Sequence, residues 1–463
     1  MPDKWVCSSN DALRLSLVRG GADDEPLVFA PTFTYPIFGE AEAIYGYANL
    51  AIALSFAAAS LTPCLRVSYD AKNERTTTEI DDVAAKMREI LPEDDVLDDA
   101  AALAELARRE RCEGAFKPLG ELVHSYTRPA AEPKSAAAGK GKGKGKGRAR
   151  GQGESSSAGA SSSAAAPAEE RHFEIYHATW ATPGFRELHR RMQVFTLLFI
   201  EGASYIQEDE AAWEWYVLYE RLPPVSPAGP PGYAFAGYTS LYRFWCYPAS
   251  SRVRLSQFVV LPPFQGAGHG SALYTHVLDS VIAASDVQEL TVEDPSEAFD
   301  RVRDGSDLRR LFSQADGFAN DAKKHGRLLA PVDAKWSEEQ RLKRKIAPRQ
   351  WGRLVEMVML LNLDQEDVAQ CKKYRLQVKA RLYRHNRDVL KQMTRAERIS
   401  KLHQTFESVV DEYAGLTGVD VDDLLDSYNI IEEEEEEEGE ETGGSSSKAY
   451  GNGGPSRKMA RLG

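Results

Sequence analysis

The chain has 463 residues, of which 42 % are hydrophobic and 9 % aromatic, and its formal net charge is −13 at pH 7. This length suffices for two or three domains with their own cores. No window reaches the roughly 18 consecutive apolar residues of a membrane span, so we expect no membrane association. Five scattered cysteines without a Cys-x-x-Cys pair argue against a disulfide framework and a zinc site, and they favour a reducing compartment.

The negative charge is not confined to one tail. Residues 432–463 contain nine acidic and four basic residues, and residues 134–170 contain three acidic and seven basic ones. The rest of the chain therefore keeps most of the negative charge. An acidic body steers a basic partner toward itself, but the same charge is also explained by solubility alone.

Five regions follow one another along the chain. Residues 1–130 mix short β-like runs with a helical, acid-rich segment, which predicts an N-terminal α/β domain. Residues 131–170, with Gly-Lys repeats followed by Ser and Ala, have too few apolar residues to offset the ordering entropy. We expect a disordered insertion there, although a Lys/Arg run can also act as a nuclear-targeting or nucleic-acid-binding patch.

The second half begins with a compact core of mixed type. Residues 171–305 combine a helix near 185–202 with hairpin-like strands and a further strand, turn and helix. Residues 306–428 carry apolar positions at helical spacing, which predicts a helical C-terminal domain. Residues 429–463 are predicted to be a disordered acidic tail.

The most informative stretch runs from Arg254 to Gly270 and reads Arg-Leu-Ser-Gln-Phe-Val-Val-Leu-Pro-Pro-Phe-Gln-Gly-Ala-Gly-His-Gly. An apolar run is stopped by two prolines, a glycine-rich turn follows, and apolar residues then recur at helical spacing from Leu273 to Ile282. Such a turn directs backbone N–H groups and the positive end of a helix dipole at one point, which suits a pyrophosphate. The spacing fits neither the phosphate loop of nucleoside triphosphatases nor the dinucleotide fingerprint.

The Gln-x-x-Gly-x-Gly turn after a strand resembles the acyl-CoA signature of the GCN5-related N-acetyltransferases. With Leu-Thr-Val-Glu-Asp-Pro-Ser-Glu-Ala-Phe at 290–299, it resembles the catalytic subunits of type B histone acetyltransferases. Similar stretches are Phe33–Gly39, Phe199–Tyr205 and Trp213–Glu220, with looser similarity to about residue 415. The resemblance implies an α+β fold with the mixed acetyltransferase sheet, acetyl-CoA as cofactor, and the tail of newly made histone H4 as substrate.

Acetyl transfer to lysine needs a base, because at neutral pH only about 0.1 % or less of lysine side chains are unprotonated. The resemblance implies that Glu293, at the end of a short strand, is this general base. It also implies that Glu201 and Asp294 are auxiliary acids that hold or deprotonate the lysine. From the residues alone, a solvent-exposed or helix-capping role for Glu293 stays open, and capping or salt bridging explains the other two acids equally well.

The turn and the resemblance together indicate the cofactor residues. Main-chain groups of Phe258, Val259 and Val260 are expected to pair with the pantetheine amides. The residues expected to hold the pyrophosphate are Gln265, Gly266, Ala267, Gly268, His269, Gly270 and Ser271, so we assign His269 to the turn and not to catalysis. The resemblance further implies contacts from Ser296, Phe299 and Arg303, and Phe299 is equally explained as core.

Contacts with the histone tail are implied for an acidic loop and for aromatic strand residues. They are Glu40, Ala41, Glu42, Trp213, Tyr242, Arg243 and Phe244. Carboxylates and aromatic rings suit a peptide rich in lysine and glycine, whereas Ala41 offers no charge and Arg243 would repel a lysine. Aromatic residues in hairpin strands also commonly serve the core.

Partners and location follow only from the resemblance. It implies a WD-repeat histone-binding subunit, histone H4 presented with H3, and residence in nucleus and cytoplasm. We do not expect direct DNA binding or a metal. Two other functions stay open: an acetyltransferase of other lysine or amine substrates, and a histone carrier with a weak catalytic site, against which the intact turn and Glu293 argue.

Overall fold

The computed structural model describes residues 4–22, 24–75, 77–129, 170–422 and 424–425. The predicted disordered insertion and acidic tail lie outside these residues, except for Glu170, which begins a strand. The chain divides into two compact units, Met1–Ser306 with Gln340–Ala347, and Asp307–Glu339 with Pro348–Gly463. Among the described residues, no helix is long and apolar enough to cross a bilayer.

The first unit contains the strands and the helices that pack on them. Its strands are β1 (Val6–Ser8), β2 (Leu13–Val18), β3 (Leu27–Phe29), β4 (Ala43–Tyr45), β5 (Tyr47–Ala48), β6 (Ala51–Ala57), β7 (Pro63–Ser68), β8 (Ala71–Lys72), β9 (Glu121–Pro129), β10 (Glu170–Thr179), β11 (Trp213–Leu222), β12 (Gly232–Cys246), β13 (Ser250–Val260) and β14 (Val287–Val292). Its helices are α1 (Ser9–Ala12), α2 (Tyr35–Phe38), α3 (Val83–Glu89), α4 (Ala100–Cys112), α5 (Phe185–Met192), α6 (Val194–Phe199) and α7 (His269–Ala283), with short 3-10 turns at Glu93–Asp95 and Pro262–Phe264.

The second unit is helical in its described part, as the apolar spacing predicts. Helices α8 (Glu297–Phe312) and α10 (Ala334–Arg344) belong partly to each unit. The remaining helices are α9 (Phe318–Lys324), α11 (Pro348–Leu360), α12 (Val368–His385), α13 (Arg387–Leu390) and α14 (Arg395–Thr417). A capping box at Thr394 and Glu397 begins α14, and Gly418 in the left-handed region ends it.

A six-stranded sheet with the order β14-β13-β12-β11-β10-β9 organises the first unit. Strands β13 and β14 are parallel, and all other neighbours in this sheet are antiparallel. A second sheet has the order β3-β2-β6-β7. The α+β class with a mixed sheet, predicted from the sequence, is confirmed.

One apolar core runs through both sheets, and this differs from the predicted boundary near residue 130. Strand β9, before that boundary, pairs with β10 after it, from Glu170↔Pro129 onward. Phe56 of β6 also packs against Phe195 of α6, with ring centroids 5.0 Å apart, and both belong to the same buried cluster. The N-terminal sheet buries its apolar face against helices of the region 171–305 and therefore does not form a separate unit.

Candidate active site

Strands β13 and β14 are paired only along the first half of β13. Their pairing runs from Ser251↔Val287 to Leu255↔Val292, and the N–H of Glu293 closes it by donating to the carbonyl of Leu255 (2.9 Å). Asp294 then takes a left-handed φ of 33°, which turns the chain away from the sheet. The next five residues of β13, Ser256 to Val260, pair with no strand of the described chain on this side, so they form an open edge.

A bulge in β13 decides which backbone groups face this open edge. The register with β12 shifts between Thr239 and Leu241, and the carbonyl of Gln257 accepts a hydrogen bond from Thr239 Oγ1 (2.8 Å). The N–H of Leu261 likewise donates to β12, at Ala236 (2.9 Å). Because backbone groups alternate along a strand, those of Val259 face β12, and those of Phe258 and Val260 face the open side. Of the three residues predicted to pair with pantetheine, Phe258 and Val260 thus direct main-chain groups to the open edge, and Val259 does not.

The glycine-rich turn lies at the end of this edge. Gly266 and Gly268 have φ values of 77° and 80°, a region that glycine enters without strain, and Gly268 is the N-cap of α7. A cavity of ≈ 510 Å³ runs along the turn and the open edge of β13. Its lining includes Gln265, Gly266, Gly268, His269, Gly270 and Ser271. The turn therefore borders a space at the positive end of a 15-residue helix.

Two side chains of the turn have structural partners. Gln265 Nε2 donates to the carbonyl of Val260 (2.8 Å), which fastens the end of the strand to the turn. The ring of His269 is buried beside Phe173, at 4.1 Å between centroids. Burial, followed by the charges of Arg128 and Arg171, lowers the pKa of His269 to about 4. The neutral, buried ring agrees with a place in the turn and leaves only its backbone for a phosphate.

The start of α8 closes the same cavity. Ser296 and Phe299 line it, and the ring of Phe299 meets that of Phe258 edge-on at 5.0 Å. Phe299 is only 9 % exposed, so it is a core residue and a cavity wall at once. Arg303 instead pairs with Asp300 (2.5 Å), and it is not among the residues that line this cavity.

The three predicted catalytic acids meet in a second cavity, of ≈ 400 Å³, at the place where the strands part. Its lining includes Glu201, Glu293 and Asp294 together with Ser256 and Phe258. The Ser256 hydroxyl donates to Oε2 of Glu293 (2.6 Å). Glu293 is 39 % exposed, so its carboxylate is fixed on one side and accessible on the other.

A third cavity, of ≈ 380 Å³, shares the three acids and extends to Trp213 and Glu210. Beside it, the ring of Tyr242 lies 4.9 Å from that of Trp213 and 4.5 Å from that of Phe244. The guanidinium of Arg254 stacks on Phe244 (4.6 Å). The predicted aromatic contacts thus form one continuous wall on one face of the sheet.

Two of the predicted substrate contacts have other partners in the structure. Arg243 lies on the opposite face of β12 from Tyr242, because side chains alternate along a strand, and it pairs with Asp286 (3.0 Å) and Glu214 (3.5 Å). Glu42 accepts hydrogen bonds from Asn10 Nδ2 (2.7 Å) and from the N–H of Thr34 (2.6 Å). The carboxylate of Glu42 therefore fixes its own loop.

Glu40 and Ala41 are exposed and are not among the residues that line the three cavities. The loop that carries them is nevertheless tied to the site, because the hydroxyl of Tyr35 accepts a hydrogen bond from the N–H of Gly202 (2.7 Å), the residue after Glu201.

Several residues of the site were missed by sequence reasoning. Ser256 and Arg254 stand two and four residues before Phe258, so strand alternation could have placed them on the same face. Glu210 follows the Phe199–Tyr205 stretch and carried no separate signal. Arg128 donates from Nε to the carbonyl of Ala267 in the turn (3.2 Å), and nothing in the sequence connects two residues so far apart.

Comparisons with known proteins show to which family the chain belongs. Residues 5–201 match a family described as "Histone acetyl transferase HAT1 N-terminus", and residues 304–364 match "Fungal HAT1, C-terminal". The histone acetyltransferase type B catalytic subunit of Mycosarcoma maydis is 52 % identical over 468 residues, which cover 100 % of both chains. The chain belongs to the type B histone acetyltransferase catalytic subunits.

Membership in this family makes the chain a histone acetyltransferase. The type B catalytic subunit of Cryptococcus neoformans var. neoformans serotype D is 43 % identical and covers 90 % of this chain and 98 % of its own length. Among solved structures, an aminoglycoside acetyltransferase from an uncultured soil sample aligns with 31 % of this chain and 88 % of its own, at 14 % identity and a TM-score of 0.21. The assignment rests on the full-length relatives and not on that alignment.

Proposed function

We propose that this histone acetyltransferase transfers acetyl from acetyl-CoA to lysine side chains in the N-terminal tail of newly synthesised histone H4, with Glu293 as the general base. The observation that carries the proposal is the position of Glu293. It lines both the ≈ 400 Å³ cavity, which shares Phe258 with the ≈ 510 Å³ cavity along β13 (the cofactor groove), and the ≈ 380 Å³ cavity, which reaches Trp213. A carboxylate at that junction can reach a lysine that enters from one side and an acyl group held on the other.

The residues along β13 and α7 fit a coenzyme A thioester. When bound, this cofactor supplies an activated acyl carbonyl. The main chain of Phe258 and the N–H of Val260, whose carbonyl already accepts from Gln265, can pair with pantetheine amides as a strand pairs with a strand. The turn can receive the pyrophosphate, because Gly266 and Gly268 leave its backbone uncovered.

The base must take one proton from the lysine ammonium. Because the Ser256 hydroxyl already donates to Oε2 of Glu293, we assign the proton from the lysine to Oε1. The freed Nζ would then bond to the acetyl carbon as the carbon–sulfur bond breaks. The sulfur would leave with the electron pair and take up the second proton that the nitrogen loses, which gives a neutral amide and a free thiol, while Glu293 returns its proton to solvent. Glu201 and Asp294 line the same two cavities and would hold the ammonium group near Glu293 before the transfer.

The third cavity suits a segment rich in lysine and glycine. Its acids offer partners for flanking lysines, and the wall of Trp213, Tyr242 and Phe244 offers flat apolar surface for lysine stems and glycine backbone. The names of the relatives support a histone as substrate. The choice of the H4 tail rests on the resemblance of the motifs.

Two further expectations belong to this proposal. We expect a WD-repeat histone-binding subunit that presents H4 with H3, and residence in both nucleus and cytoplasm. Co-elution of the chain with such a subunit and an H3–H4 pair in size-exclusion chromatography tests the first. Fractionation of cells tests the second.

The experiment that tests the function compares acetyl transfer to an H4 tail peptide and to an unrelated peptide with the same number of lysines. The proposal predicts a clearly higher kcat/KM for the H4 peptide. Equal values would favour an acetyltransferase of other lysine or amine substrates. Tight binding of the H4 peptide without turnover would favour a histone carrier.

A further inference from the structure

The pyrophosphate turn contains no permanent positive charge. Residues 265–271 read Gln-Gly-Ala-Gly-His-Gly-Ser, without Lys or Arg. Its histidine is buried, and burial lowers the pKa of His269 to about 4, so this ring is neutral at physiological pH. The proposed cofactor carries several negative charges on its phosphates. A positive charge for this end of the groove must come from another element.

Strand β9 brings two side chains to the turn. Arg128 Nε donates to the carbonyl of Ala267 (3.2 Å), and a Cβ on Gly268 would lie 3.5 Å from Nη2 of Arg128. The hydroxyl of Tyr126 lies 2.8 Å from Nδ1 of His269, and the Arg128 guanidinium covers the Tyr126 ring (4.9 Å). Strand β9 therefore contacts the residues on both sides of Gly268, the N-cap of α7.

The contact with Ala267 fixes the direction of one peptide group. In a trans peptide the C=O of one residue and the N–H of the next point in opposite directions. The carbonyl of Ala267 points at Arg128, so the N–H of Gly268 points away from it. Gly268 lines the ≈ 510 Å³ cavity, and Arg128 is not among the lining residues. The hydrogen bond thus holds the Gly268 N–H on the side away from Arg128, at a residue that borders the cavity.

We propose that Arg128 is a positioning residue of the cofactor site, which orients the Gly268 N–H toward the pyrophosphate and supplies the positive charge that the turn lacks. The inference rests on the proposed use of a coenzyme A thioester. By this inference, a residue that precedes the predicted domain boundary at 130 contributes to cofactor binding by the region 171–305. Arg128 is half-buried, so its charge is screened less by salt than that of an exposed side chain.

The test is calorimetric titration of coenzyme A and of 3′-dephospho-coenzyme A into the full chain and its variants. Arg128→Gln should weaken binding of both ligands by the same factor, roughly tenfold, because both keep the pyrophosphate. Its affinity should also depend less on salt concentration than that of the unaltered chain. Arg128→Lys should recover part of the loss. Arg88→Gln, which removes a charge from an exposed ion pair with Asp98, should bind as the unaltered chain does.

Three results would count against the inference. Unchanged affinity in Arg128→Gln would overturn it. A loss confined to coenzyme A, absent with the dephospho ligand, would assign Arg128 to the 3′-phosphate and overturn the pyrophosphate assignment. The third result has two parts: Arg128→Gln binds both ligands more weakly with an unchanged dependence on salt, and Arg128→Lys binds them no better than Arg128→Gln. It would show that Arg128 acts only through packing. Failure of the unaltered chain to bind either ligand would instead refute the proposed function.

Discussion

The hydroxyl of Ser256 donates a 2.6 Å hydrogen bond to Oε2 of Glu293. Ser256 is the first residue of β13 beyond the last pair with β14, and Glu293 is the first residue after β14. The contact therefore bridges the two strands where they part. It holds the proposed base against the edge along which the acyl group would lie.

We expect Ser256→Ala to lower kcat by roughly tenfold, because a hydrogen bond to a charged group contributes about 1.5–3 kcal/mol and its loss leaves the base less well oriented. The affinity for coenzyme A, measured by calorimetry, should stay unchanged. Ser250→Ala provides the control, since Ser250 lies at the other end of β13 and bonds to Cys246 and Gln288. An unaltered kcat in Ser256→Ala would show that Glu293 needs no such support.

Gly268→Glu should abolish binding of acetyl-CoA. Gly268 has a φ of 80°, which a side chain adopts only with strain, and a carboxylate there would repel the pyrophosphate. Gly317→Glu is a matched control: Gly317 is also a left-handed N-cap, of α9 in the helical unit, with nothing within 4 Å of an added Cβ. Both variants should lose some thermal stability, and only the first should lose cofactor binding. Undiminished affinity in Gly268→Glu would refute the phosphate assignment.

Acid should destabilise the first unit partly through His189. Burial, with the nearby charges of Arg190 and Arg186 adding to it, lowers the pKa of this histidine to about 3 in the folded chain. The unfolded chain takes up the proton near pH 6.5, and the folded one does not. The free energy of unfolding therefore falls as the pH drops from about 6.5 toward 3, by up to about 1.4 kcal/mol per pH unit from this group.

Replacement of His189 by Phe should remove this contribution. The ring lies among Trp180, Phe185 and Trp215. An apolar aromatic side chain such as Phe therefore suits these neighbours. Denaturant unfolding between pH 7 and pH 5 should give a shallower loss of stability for His189→Phe than for the unaltered chain. Equal slopes for His189→Phe and the unaltered chain would contradict the account.

Deletion of Lys134–Ala166 should leave kcat on an H4 tail peptide nearly unchanged. The deleted residues lie outside the described part of the chain, and the nearest described residues, Pro129 and Glu170, are paired neighbours in β9 and β10. The remaining residues can therefore connect the two strands without strain. A deletion that lowers kcat severalfold would show that the segment takes part in the reaction.

The sequence predicted the parts of the site that depend on local spacing. Glycines, prolines and apolar periodicity predicted the turn and α7, and the turn begins the helix at His269. Strand alternation would also have separated Arg243 from Tyr242 and Phe244, had it been applied to that stretch.

Other features depend on contacts between distant residues. The bulge that turns Phe258 and Val260 outward involves the side chain of Ser240, which accepts from the N–H of Gln257 (3.0 Å). The support of the turn by Arg128 requires the pairing of β9 with β10. No local pattern of residue types encodes either contact, so the sequence alone did not predict them.

The central claim, that Glu293 is the general base, is tested most directly by acetyl transfer to an H4 tail peptide with the unaltered chain and with Glu293→Gln. Glu297→Gln, an exposed acid in the first turn of α8, controls for the change in charge. The account predicts a loss in kcat of roughly 100-fold or more for Glu293→Gln alone, with coenzyme A affinity retained. Equal rates in Glu293→Gln and the unaltered chain would contradict it and move the base to Glu201 or Asp294.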